Sequence, residues 1–221
     1  MASSGPSVLT LGFWRSRRSA ALAGIVFAIL ILIALVMTRI ALNEVSLEAL
    51  RADAQRRTLI RISLNLVPFA GIAFLWFIGV IRDQLGDVED QLFSTVFLGS
   101  GLLFLAMLFS GTVALTGLME VVATTDPDLG VYGFSRSTTQ TLVSVYAMRM
   151  AAVFTLSVST VGIRTRALPR WVSYLGYVVA LTLMVAAGEH KWTQLVFPTW
   201  VLLVSVVLLV VRPPVTPATQ D

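Results

Sequence analysis

Six times along its 221 residues the chain runs apolar for long enough to cross a bilayer. The runs cover about 20–42, 64–81, 93–118, 141–163, 171–187 and 193–211. A membrane helix needs about 20 such residues. In hydrocarbon every backbone N–H and C=O must be paired within the protein, so runs of this kind read as helices. The sequence predicts an all-α, polytopic transmembrane helical bundle of six spans. Residues 1–19 form a basic cytoplasmic tail and 212–221 a disordered one.

Composition agrees. Apolar residues make up 57% and charged residues 13%, where soluble domains hold about 45–50% and about 25%. The chain has no cysteine and one histidine, His190. Disulfides, thiolate metal sites and Fe–S clusters are excluded, as is bis-histidine haem or multi-histidine zinc within one copy. No cofactor is expected. The net charge of +4 gathers at span ends, which suits lipid headgroups and not nucleic acid. Arg15, Arg17 and Arg18 precede an apolar run longer than a signal-peptide core, so the first run reads as a retained span.

Tryptophans mark the interfaces. Trp14 and Trp171 belong to one, Trp192 and Trp200 to the other, while Trp76 falls mid-span. With the N-terminus inside, the cytoplasmic side holds Arg15, Arg17, Arg18, Arg82, Arg164, Arg166, Arg170 and Arg212. Arg39, Arg51, Arg56, Arg57, Arg61, Arg136 and Lys191 lie opposite. The bias is small, but the short basic start favours both termini in the cytoplasm of a bacterial inner membrane.

Three features invite function. Arg149 lies inside the fourth span, where a charge costs roughly 2.5–3.5 kcal/mol on insertion scales. It shares a face with Tyr146 and lies nearly opposite the small residues Ala147, Ala151, Thr155 and Ser159. It could snorkel to an interface, pair within the bundle, or bind an anion. Arg82, Asp83, Asp87, Glu89 and Asp90 form a charged loop between spans two and three. That loop is a weak metal candidate, since it lacks the ligand pattern of a calcium loop, and a better source of ion pairs to Arg164, Arg166 and Arg170. The polar stretch 43–61 reads as a helix lying at the interface or prolonging the second span. Asp126, Pro127, Asp128 and Gly130 spell a turn, and the loop is expected to run from Thr124 to Ser137.

Small residues four apart, Ala20, Gly24 and Ala28 as well as the Ala147–Ser159 stripe, mark close helix contacts. An intramembrane serine protease is excluded, because Ser100 and His190 belong to opposite halves of the membrane.

The segment LVPFAGIAFLWFIGVIRDQLGDVEDQLFSTVFLGSGLLFLAMLF, from Leu66 to Phe109, resembles a group of uncharacterised bacterial inner-membrane proteins. The shared features are the Pro-Phe-Ala-Gly span, the Arg82-Asp83-x-x-Gly86 turn and the Gly-Ser-Gly span. The resemblance implies location and fold and no activity. The leading expectation is a non-enzymatic accessory or interaction subunit, with the bilayer and a membrane protein or second copy as partners. The alternatives are a small transporter or permeation subunit for an anionic or amphiphilic solute, using Arg149, and a metal-dependent lipid enzyme using the acidic loop.

Overall fold

A computed structural model of the chain describes residues 8–43, 45–85, 91–165, 168–190 and 192–210. Among these it is all-α. The helices are α1 (Val8–Leu42), α2 (Leu47–Ala52), α3 (Ala54–Leu85), α4 (Gln91–Ala123), α5 (Leu129–Thr141), α6 (Met148–Arg164), α7 (Arg170–Val185) and α8 (Val196–Val210). A π-helical turn, Leu142–Ala147, joins α5 to α6, and a 3₁₀ turn, Thr193–Leu195, leads into α8. Five stretches are long and apolar enough to span a membrane, and the sixteen-residue α7 is apolar but shorter. The protein is a multi-pass membrane protein with approximately six spans.

The first four expected spans fall within helices or near-continuous helical stretches that outrun them, whereas α7 ends at Val185, two residues short of the expected fifth span, and the last residue of the expected sixth, 211, lies outside the described residues. α1 takes in residues expected to form the tail, because arginine and leucine continue a helix well and nothing stops it at the membrane surface. The expected disordered tail, 212–221, lies outside the described residues. α3 begins at Ala54, so Pro68 lies deep within it. Pro198 occupies the first turn of α8, just after the 3₁₀ turn, where a proline is tolerated. α7 opens directly after Pro169 and ends before a turn in which Gly188 takes φ +88°.

α1 packs along α3 and α8, while α6 packs on α7 and α4. The small-residue stripe is fully buried, with Ala147, Ala151, Thr155 and Ser159 at 0% exposure. Opposite Ser159 lies Gly176, where a Cβ would run into the hydroxyl. Gly24 is pressed in the same way against Ser205 and Phe77. Close backbone approach supplies the van der Waals contact that holds helices together in lipid, where burial from water contributes little. Trp76 is exposed on the lipid-facing surface; Trp200, assigned to an interface by sequence, is buried.

Two packed regions divide the bundle along its length. The larger is centred on Phe27, Phe74, Phe104, Phe154 and Phe197. Their rings meet at 4.6 Å (Phe27 with Phe74), 4.9 Å (Phe104 with Phe197) and 5.2 Å (Phe74 with Phe104, and with Phe154). Such pairs contribute about 0.5–1.5 kcal/mol each beyond simple contact. The smaller gathers Ala41, Leu47, Leu50, Ile60, Leu118 and Tyr132 at the end where α1 finishes, called here the far end.

Candidate functional site: a cationic cavity between two packed layers

A cavity of about 260 Å³ lies between these layers. It is walled by the last turns of α1 (Ala34 to Asn43), by Ser63, Leu64 and Val67 of α3, and by Leu108 to Leu115 of α4. Arg136, Thr139 and Gln140 of α5, Val143 and Ser144 of the π turn, and Gln194 complete it. The phenylalanine layer sits just beneath. Phe27 is seven residues before Ala34 and Phe104 four before Leu108, or about 10 Å and 6 Å along their helices.

Among the described residues its charged lining is Arg39 and Arg136, with no carboxylate. Arg136 is held by backbone. Its Nη1 donates to the Val45 carbonyl at 2.6 Å and to Tyr132 Oη at 3.3 Å, and its Nη2 donates to the Leu42 carbonyl at 2.9 Å. These carbonyls lie at and just beyond the C-terminus of α1, where unpaired acceptors and the negative end of the helix dipole attract a cation. Arg56 treats the same end likewise, donating to the Ile40 and Ala41 carbonyls. Arg57 donates to the Leu50 and Arg51 carbonyls at the end of α2, and Arg51 donates to the Thr124 carbonyl at 2.7 Å. Arg51, Arg56 and Arg57 of the polar stretch 43–61 thus close helix ends. Asp53 links α2 to α3, accepting from the backbone N–H of Arg56 at 3.1 Å and its Nε at 3.2 Å. The Arg56 N–H holds the Asp53 carboxyl below its ordinary range.

α5 is the element that sequence reading missed. The segment 124–137 was expected to be a loop, and its turn is indeed there, but Asp128 caps a helix that starts at once. Its carboxylate accepts from the Gly130 and Val131 N–H groups at 2.7 and 3.2 Å. Gly130, Gly133 and Ser135 argue locally against helix. Packing against α4 overrides them, since Tyr132, Ser135 and Thr139 bury one face there.

The π turn sets the register between α5 and α6. Thr139 and Ala147 are eight residues apart, which in a regular α-helix leaves them about 80° out of line. One extra residue in the turn absorbs about 100° and returns both to the buried face. Gly111 lies against the turn, and a Cβ there would come within 2.5 Å of Val143 Cγ2. Ser144 Oγ donates to Gln194 Oε1 at 3.3 Å, tying the turn to the start of the last span.

The residues singled out from sequence lie elsewhere. Arg149 is on the exposed surface of α6 and does not line the cavity, and Tyr146 beside it is 51% exposed. The cavity's cations are Arg39 and Arg136, so a solute bound there is not countered by Arg149. Arg82 is exposed in the last turn of α3, at the opposite end of the bundle. Asp83 belongs to the same helix, and Asp87, Glu89 and Asp90 lie outside the described residues. The expected pairing of that loop with Arg164, Arg166 and Arg170 involves residues outside the description as well. Ser100 donates to the Phe97 carbonyl, and His190 is exposed in the turn after α7. Among the described residues no three His, Cys, Asp or Glu side chains come together as a metal site would require.

No protein-family model matches the chain, and no curated protein or solved structure matches it.

Proposed function

We propose that this membrane protein holds an anionic or amphiphilic solute in the cavity, without catalysing a reaction. One observation carries the reading: among the described residues, two arginines and no carboxylate line a cavity within the bundle. In a low-dielectric surrounding such an imbalance favours an anion far more than it would in water. The volume of about 260 Å³ is slightly below the range of about 300–1,000 Å³ typical of sites for drug-sized ligands, so it suits a headgroup or a small metabolite. The leucine and valine lining leaves room for an apolar portion. The phenylalanine layer below favours holding over conducting. The proposed membrane is a bacterial inner membrane with both termini cytoplasmic, supported by the short basic start of the chain and by the resemblance of the Pro-Phe-Ala-Gly and Gly-Ser-Gly spans to inner-membrane proteins.

Titration calorimetry of the purified protein in a non-ionic detergent, with a short-chain alkyl phosphate and a matched alkyl ammonium, tests this. The phosphate binds, the ammonium does not, and Arg39→Gln weakens the phosphate at least about tenfold, the loss of one charge-assisted contact. Equal binding of both ions, or of neither, refutes the reading.

A second reading, an accessory subunit, is favoured by Arg149. A guanidinium with an exposed aromatic neighbour, Tyr146, on the outer surface of a span is suited to a headgroup or to a partner helix. Affinity purification in mild detergent, comparing the native chain with Arg149→Leu, tests it. A co-purifying chain lost in the variant supports this role, and an unpartnered native chain refutes it.

A further inference from the structure

The bundle is not one thickness throughout. Arg18, Arg82, Arg164 and Arg170, all exposed, crowd the end where α1 starts. Measured from them, Thr38 is twenty residues along α1, Ser63 nineteen back along α3, and Ser144 twenty back along α6 and the π turn. Each interval is about 30 Å of helix, the thickness of a bilayer's hydrocarbon core. All three residues line the cavity. The turn between α7 and α8 reaches the same level and stops. Ser144 meets Gln194 there, and a Cβ on Gly188 would come within 2.9 Å of Val145 Cγ2. That turn carries Glu189, His190 and an exposed Trp192, which suits headgroup depth.

The other helices run on. α5 begins fifteen residues before Ser144, α3 begins nine before Ser63, and α4 ends eleven after Thr112, which adds about 13–22 Å. Gln55, Thr58, Glu120, Asp126 and Ser137 are exposed on this part, as are the apolar Leu129 and Phe134. Between the two levels the exposed side chains are mostly apolar, as at Ile29, Ile72, Leu103, Leu156 and Val178. Arg149 is an exception that lies only five residues inside the cavity level, within snorkelling range. The hydrocarbon therefore ends at the cavity, and the smaller packed layer around Leu50, Ile60 and Leu118 stands beyond it as a cap.

The cavity's own polarity runs the same way. Its wall toward the hydrocarbon is Ala34, Leu35, Val67 and Leu108. Its wall toward the cap carries Asn43, Arg136 and Gln140 beside Leu42 and Leu115. A leaflet changes from tail to headgroup over the same depth and in the same direction. We propose that the cavity is filled from the bilayer, by a lipid of the leaflet on the cap side that keeps its membrane orientation. Its headgroup lies by Asn43, Arg136 and Gln140, its first chain carbons lie by Leu35, Val67 and Leu108, and the rest of the chain stays in the bilayer. This rests on the cavity being the solute site. A phosphoryl headgroup meets the same wall on a lipid or as a free glycerol phosphate, and the depth of the cavity favours the lipid.

The chain has no cysteine, so single nitroxides can be placed on the full protein. In nanodiscs of phosphatidylcholine and phosphatidylglycerol, labels at Leu156 and Val178 should be relaxed by oxygen, and labels at Gln55 and Ser137 by an aqueous nickel chelate. Relaxation by oxygen at Gln55 and Ser137 overturns the placement and the inference with it. Native mass spectrometry of the protein released from the same discs should find one phosphatidylglycerol retained per chain. Gln140→Trp and Asn43→Trp, at exposed lining positions, should each lose it with an unchanged thermal midpoint. Equal retention in both variants means annular lipid only and overturns the inference. Displacement of the lipid by equimolar glycerol 3-phosphate assigns a soluble ligand, which overturns it while leaving the solute site standing. Absence of retained lipid with the short-chain alkyl phosphate still bound does the same, and absence of both removes the site as well.

Discussion

Arg136 closes the end of α1: its Nη2 lies 2.9 Å from the carbonyl oxygen of Leu42, ninety-four residues earlier in the chain. The same guanidinium faces the cavity, so one side chain fixes the wall and supplies part of its charge. A residue with both duties cannot be replaced without a cost in stability. Arg136→Gln should lower the unfolding free energy by about 1.5–3 kcal/mol, as for the loss of a charged hydrogen bond. Thermal unfolding in detergent checks this. An unchanged midpoint would mean that the contacts to Leu42 and Val45 hold nothing.

The contact between Gly176 and Ser159 should respond to paired substitutions. Gly176→Ala adds a methyl where the Ser159 hydroxyl already sits and should destabilise by about 1–3 kcal/mol. Ser159→Ala removes a buried hydroxyl that has no partner, and should be neutral or stabilising. The double variant should recover most of the loss. Additive losses would show that the hydroxyl is not what the added methyl meets.

Deletion of Val145 should turn the π turn into regular α-helix while keeping α5 and α6 on their present faces. Deletion of Ala152, within regular helix, should rotate one half against the other by about 100°. The first should leave a folded, anion-binding protein and the second should not. Equal damage from both would contradict the register argument for Thr139 and Ala147.

How the sequence led here differs by element. Span positions were legible because hydropathy alone decides them. The stripe from Ala147 to Ser159 was legible for a similar reason, since spacing by four needs no knowledge of the partner helix. The cavity was not legible. Arg39 looked like a span-end charge and Arg136 like a loop charge. What makes them a pair is α5, whose glycines conceal a helix stabilised by Asp128 and by packing on α4. The one usable signal was Asp128 directly ahead of Leu129 and Gly130, an N-cap read only as a turn. Arg149 stood out because charge inside an apolar run is rare, yet rarity says nothing about which way a side chain points.

The link between α2 and α3 should be sensitive to acid. Asp53 titrates below its usual range, first because the Arg56 N–H donates to it, so its ionised form is favoured in the folded state. Its contribution is complete above the ordinary aspartate pKa of about 3.9 and is lost as pH falls through the lower, folded value. Asp53→Asn should flatten the pH dependence of unfolding in that acid window and leave behaviour at neutral pH nearly the same. An identical acid profile in the variant would remove Asp53 as a contributor.

The anion site itself is tested most directly by a structure of the native protein in a bilayer mimetic containing an electron-dense oxyanion such as tungstate. The predicted result is density in the cavity within hydrogen-bonding reach, about 2.7–3.2 Å, of the Arg39 and Arg136 guanidinium groups. Density confined to exposed arginines such as Arg149 or Arg82, with the cavity empty, would contradict the account.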